Sequence, residues 1–124
     1  GIVEFFDMHL EEALSKFDDD ASLERRVRMQ ISQSLSEGIP TVSSIANFLG
    51  MSGRTLQRRL ADHGYSFQAL VDESRRQLAE RLLQETDYPI AEIAFLSGFS
   101  EQSAFNRAFT RWAGQTPRSF RIQA

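Results

Sequence analysis

Cysteine is absent from this chain, which excludes both a disulfide frame and a thiolate metal site. Only two histidines occur, so a zinc finger is excluded as well. No apolar run approaches the roughly 18 residues that a membrane-spanning helix needs, and no charged-then-apolar leader opens the sequence. No membrane partner is therefore expected, and the cytoplasm is the expected compartment. There is no glycine-rich phosphate loop and no Ser/His/Asp spacing, so neither an enzyme nor a cofactor is expected. The acidic run Asp18-Asp19-Asp20 reads as a solvated turn rather than a cation site.

Lysine is nearly missing too, and its scarcity points somewhere. Residues 1–20 hold seven acids against the single Lys16, a balance of −6. The remaining 104 residues hold thirteen arginines and ten acids, a balance of +3. The overall charge of −3 thus conceals an arginine-only basic region. Phosphate binding responds to the local patch and not to the total. Arginine is also the side chain best suited to bidentate contact with phosphate or guanine. A salt-bridged helical surface would have the same composition, so charge alone does not decide.

The decisive feature is a repeat. Ile45-Ala46-x-x-Leu49-Gly50-Met51-Ser52 leads into Leu56-Gln57-Arg58-x-Leu60. Ile93-Ala94-x-x-Ser97-Gly98-Phe99-Ser100 leads into Phe105-Asn106-Arg107-x-Phe109. The first halves align with a shift of 48 residues and the second halves with a shift of 49, so one turn is a residue longer. Each copy reads as a short helix, a glycine turn and a second helix with polar residues outward. That is the arrangement that presents side chains to the major groove of double-stranded DNA.

Periodicity predicts helices elsewhere and no sustained strand. Val3, Phe6, Leu10, Leu14 and Phe17 form one face of an extra N-terminal helix over 3–17, a candidate surface for self-association. Leu23, Val27, Ile31 and Leu35 form a stripe over 21–36, ended by Glu37-Gly38-Ile39-Pro40. Thr41 caps a helix to about Leu49, Ser52 caps one over about 53–62, and Ser66 caps a long helix to about Glu85. The long helix carries Phe67, Leu70, Val71, Leu78, Leu82 and Leu83 as its apolar positions. Pro89 stands in the first turn of the next helix, Ser100 or Glu101 opens the one after, and Thr116-Pro117 starts the last. The chain is therefore expected to be all-α. Its units are a linker or tail over 1–20, a helix–turn–helix subdomain over 21–65, a linking helix over 66–85 and a second subdomain over 86–124. Because Gly1 is not Met and leads straight into an apolar stretch, the chain reads as a piece of a longer protein.

In each unit the second helix is the reading element. Arg54, Gln57 and Arg58, then Gln102, Ser103, Asn106 and Arg107, are the base-reading candidates. Arg suits the O6/N7 edge of guanine, and Gln or Asn the N6/N7 edge of adenine. Thr41, Ser52, Arg59, Ser100 and Arg111 are the candidates for the DNA backbone. For the three hydroxyls, plain capping is an equal alternative. Phe105, Phe109, Trp112 and Phe120 fall at inward spacing and read as core. A helical protein-interaction module, with only non-specific affinity for DNA, is the competing reading.

The stretch Ile90 to Arg121 closely resembles the signature of the AraC/XylS family of bacterial transcription regulators. The resemblance rests on Ile93-Ala94-x-x-Ser97-Gly98-Phe99-Ser100, Phe105-x-Arg107-x-Phe109 and Gly114-x-Thr116-Pro117-x-x-x-Phe120-Arg121. Ser52-Gly53-Arg54-Thr55-Leu56-Gln57-Arg58-Arg59-Leu60 is similar to the family's first unit, and the match covers about 21–124. It implies two homeodomain-like helix–turn–helix subdomains whose reading helices enter successive major grooves, using the candidates above. It further implies a preceding domain that senses an effector ligand or dimerises, so that the intact protein is a candidate homodimer. RNA polymerase is a further candidate partner, and activation a candidate outcome.

Overall fold

The computed structural model describes residues 22–123. The expected helix over 3–17, its apolar face and the acidic turn at 18–20 lie outside the described residues. Among the described residues every regular element is helical. Helix α1 covers 22–34 and runs on into a 3-10 turn, Leu35–Glu37. There follow α2 (Val42–Phe48), α3 (Gly53–Asp62), α4 (Phe67–Glu85), α5 (Ile90–Leu96), α6 (Gln102–Ala113) and α7 (Pro117–Gln123).

Local chemistry sets most of these boundaries. Thr41 and Ser44 form a reciprocal capping box at the start of α2. Ser52 Oγ accepts from the Thr55 amide at 3.1 Å, and Ser66 Oγ accepts from the Ala69 amide at 3.1 Å. Thr116 Oγ1 accepts from the Ser119 amide at 3.1 Å, ahead of Pro117 in the first helical position. The stripe helix was expected to stay regular to residue 36. Instead its last turn tightens to a 3-10 turn before Gly38-Ile39-Pro40, which is how a helix satisfies carbonyls it cannot extend past. Pro89 stands just before α5 as its cap rather than inside the first turn.

Two cores result, and α4 is a wall of both. The first packs Leu23, Val27, Ile31 and Leu35 against Ile45, Ala46, Leu56 and Leu60, and against Phe67, Leu70 and Val71 of α4. The second packs Ala79 and Leu83 of the same helix against Ile93, Ala94, Phe105 and Phe109. Phe99, Trp112 and Phe120 close the second core from its edges. Its rings meet edge-on or tilted, Phe99 with Phe105 at 5.5 Å and Phe109 with Phe120 at 5.4 Å between centroids. Such pairs add about 0.5–1.5 kcal/mol beyond the burial itself. At roughly 1.5 Å per residue, the nineteen residues of α4 span roughly 28 Å.

Between the two apolar segments of α4 lie Ser74 and Arg75, both buried. Neither was expected in the interior, while Leu78 and Leu82, expected there, are half-buried. Arg28 ties α1 to this wall, pairing with Glu24 on its own helix and with Glu73 of α4 at 2.6 Å.

Candidate nucleic-acid interface

The two turns differ by the residue that the uneven repeat anticipates. In the first, Gly50 takes φ +77°, Met51 packs against the core, and Ser52 caps α3. In the second, Gly98 takes φ +92° and Phe99 packs inward, but the cap of α6 is Glu101, not Ser100. The extra residue thus lies between the inward aromatic and the reading helix. Ser100 stands outside the helix start, exposed, with no capping role. Glu101 makes no side-chain cap hydrogen bond; its carbonyl accepts from the Phe105 amide at 3.3 Å.

On α3 the buried Leu56 and Leu60 fix the helix by one face and leave Arg54, Gln57 and Arg58 exposed on the other. Arg59 sits at the boundary, half-buried and engaged within the protein. On α6 the buried Phe105, Ala108 and Phe109 do the same and leave Gln102, Ser103 and Arg107 exposed. Arg111, one turn beyond Arg107, is exposed as well. Among the described residues, none of Arg54, Arg58, Arg107 and Arg111 is drawn into an ion pair. Four guanidinium groups are therefore left to the solvent on two reading helices.

Asn106 stands apart from this set. It is half-buried, and its Oδ1 is buried with no hydrogen-bond partner. An unpaired buried acceptor costs about 1–3 kcal/mol, a cost that outward rotation onto a donor would relieve. Thr41 and Ser52 are exposed, but their hydroxyl oxygens already accept amide hydrogens as caps. Ser52 Oγ also donates to Thr55 Oγ1 at 2.9 Å.

The arginines that composition alone would assign to phosphate divide into two groups. Arg75 is 8% exposed, and its Nε donates to the Ser97 carbonyl at 3.0 Å. Its guanidinium lies 3.8 Å above the Phe99 ring, with the Trp112 ring at 6.0 Å. Burial lowers its pKa from the usual arginine value, and Asp72 nearby partly opposes that shift. Arg121 spans α7 and the end of α4, donating from Nε to the Leu83 carbonyl and from a terminal nitrogen to the Thr86 carbonyl, each at 3.2 Å. These two cations hold the fold. The signal for Arg75 is present in the sequence: it stands four residues after Val71 and four before Ala79, on the buried stripe.

Among the described residues no helix is long and apolar enough to cross a membrane, and no group of acidic or histidine side chains could hold a metal ion. A family described as a helix-turn-helix domain matches residues 45–123. The transcriptional regulator VirS of Mycobacterium tuberculosis is 43% identical over 102 residues, covering 82% of this chain and 30% of VirS. The chain thus spans about a third of the length of the curated relatives it matches. An AraC-type regulator from Chromobacterium violaceum superposes with a TM-score of 0.77 at 25% identity, covering 86% of this chain and 95% of that one. The DNA-binding domain of AdpA, solved with a target DNA, superposes with a TM-score of 0.64 at 27% identity, covering 84% of this chain and 90% of that one. Two exposed reading helices on a shared wall, together with these matches, place the chain in the AraC/XylS family of bacterial transcription regulators, as a helix–turn–helix DNA-binding domain.

Proposed function

We propose that this domain reads two successive major-groove segments of one duplex, one with α3 and one with α6. Arg54, Gln57 and Arg58 face the bases of the first segment. Gln102, Ser103, Asn106 and Arg107 face those of the second. Arg59, Ser100, Arg111 and the exposed capping hydroxyls of Thr41 and Ser52 contact the backbone. One observation supports this above the others: both reading helices leave an arginine exposed at the matching position, Arg58 on α3 and Arg107 on α6, with both free of ion pairs among the described residues.

Two segments one helical turn apart, about 34 Å, are usually read by two subunits. Here one chain carries both readers on a linking helix of roughly 28 Å, so a single chain can read an asymmetric site. Where the helix length falls short of the groove spacing, the duplex bends toward it.

The units proposed are 1–20 as linker or tail of a preceding domain, 21–65 and 86–124 as the two subdomains, and 66–85 as the link. The domain acts without catalysis, in the cytoplasm. In the intact protein it serves an effector-sensing domain, a homodimer and contact with RNA polymerase.

The test is selection of bound sequences from a random duplex library, followed by affinities at two salt concentrations. An enriched site with two blocks about one turn apart is expected. One block alone would reduce the second unit to a backbone contact. No enrichment, with affinity following salt alone, would favour an interaction module with only non-specific DNA affinity.

A further inference from the structure

The two turns that carry the reading helices are held differently. A Cβ built on Gly50, in the first turn, would meet nothing within 4 Å. A Cβ built on Gly98, in the second, would stand 3.3 Å from Ile39 Cγ1 and 3.6 Å from Arg75 Nε. The second turn is thus approached closely from two sides, by Ile39 from the loop between α1 and α2 of the first subdomain and by Arg75 from the middle of the linking helix. Arg75 holds the turn at two points, its Nε on the Ser97 carbonyl and its flat face on the Phe99 ring. Both residues belong to the segment that leads into α6.

We infer that Arg75 and Ile39 fix the second reading helix relative to the first, and so set the separation and phase at which two base blocks can be bound together. Arg75 is in this sense a positioning residue for specificity, although it lies too deep to touch DNA. This rests on both helices reading bases. A planar guanidinium with a directed N–H bond on one side and a stacked ring on the other restricts rotation as well as distance, which a lysine ammonium does not. Adding one base pair between blocks turns the second block by about 34° and moves it by about 3.4 Å. A fixed pair of readers cannot follow that change, whereas a loosened pair can.

The experiment uses the full 124-residue chain, the selected two-block duplex and variants of it with the spacer changed by one or two base pairs in either direction. The wild type is expected to lose about tenfold or more for each base pair of change, the scale of losing one well-made base contact. Arg75→Lys and Ile39→Ser are expected to flatten that profile to about threefold, with unchanged affinity for a duplex carrying the first block alone. Ile39 is exposed, so its variant keeps the fold and decides the matter should Arg75→Lys fail to fold. A wild-type profile that is flat, with both blocks still required, overturns the inference and leaves two-helix reading intact. A steep profile preserved in both folded variants also overturns it. Selection of a single block would overturn the inference and the two-helix reading together.

Discussion

The two helix–turn–helix units share a register and differ in what holds them. The first is an aliphatic core of Leu, Ile and Val with Phe67 at its edge, and both its short helices start on side-chain caps. The second is built on aromatic rings, and neither α5 nor α6 starts on a side-chain cap. What it has instead are long-range ties: Arg75 to the Ser97 carbonyl, and Arg121 to the Leu83 and Thr86 carbonyls. The first unit thus combines capped helix starts with one long-range ion pair, Arg28 with Glu73, whereas the second leans on hydrogen bonds to partners 22 to 38 residues away. A unit held by distant ties has its position set by the linking helix. One held by caps has mainly its own helix ends set.

The largest test of this contrast is in the second core. Phe105 is fully buried at the centre of the ring cluster, so Phe105→Ala should cost about 3–5 kcal/mol. Thermal unfolding measures the loss, and hydrogen exchange should show α5 to α7 losing protection before α1 to α3. Equal loss in both halves would mean that α4 couples the two units into one cooperative block. A smaller effect is expected on binding. Gln57→Ala in the first unit, and Asn106→Ala in the second, should each cost about 1–3 kcal/mol on the selected site and relax one base position. A uniform loss on selected and random duplexes would remove the base-reading role. Arg111→Ala should instead weaken all sequences alike and lower the salt slope by about one. The caps should give the smallest difference. Ser52→Ala should destabilise by about 1 kcal/mol, because it frees the Thr55 amide. Glu101→Ala should change little, since no side-chain cap is lost. Chemical denaturation of the two variants side by side checks the pair.

Much of this architecture was legible in the sequence because it rests on short-range chemistry. The stripe Leu23, Val27, Ile31 and Leu35 is buried as its spacing implied, and Thr41, Ser52, Ser66 and Thr116 cap the helices they precede. Even the uneven shift of the repeat has its counterpart in the added residue before α6. Arg75 and Arg121 were not legible in the same way. An arginine beside Arg76 looks like surface until the Ser97 carbonyl and the Phe99 ring are brought to it by the fold. Arg75 does fall four residues after Val71 and four before Ala79, yet that spacing alone does not place an arginine in the interior, and periodicity cannot say what an inward cation would bond. The repeat places Asn106 on α6 but does not show it half-buried, because its unpaired oxygen depends on packing around the helix.

Methylation interference across the selected duplex, run with the wild type, Arg58→Ala and Arg107→Ala, tests joint reading most directly. Two blocks of interference about one turn apart are expected, with Arg58→Ala erasing contacts in one block and Arg107→Ala only in the other. A single block, or the same block erased by both variants, would contradict reading by two helices of one chain.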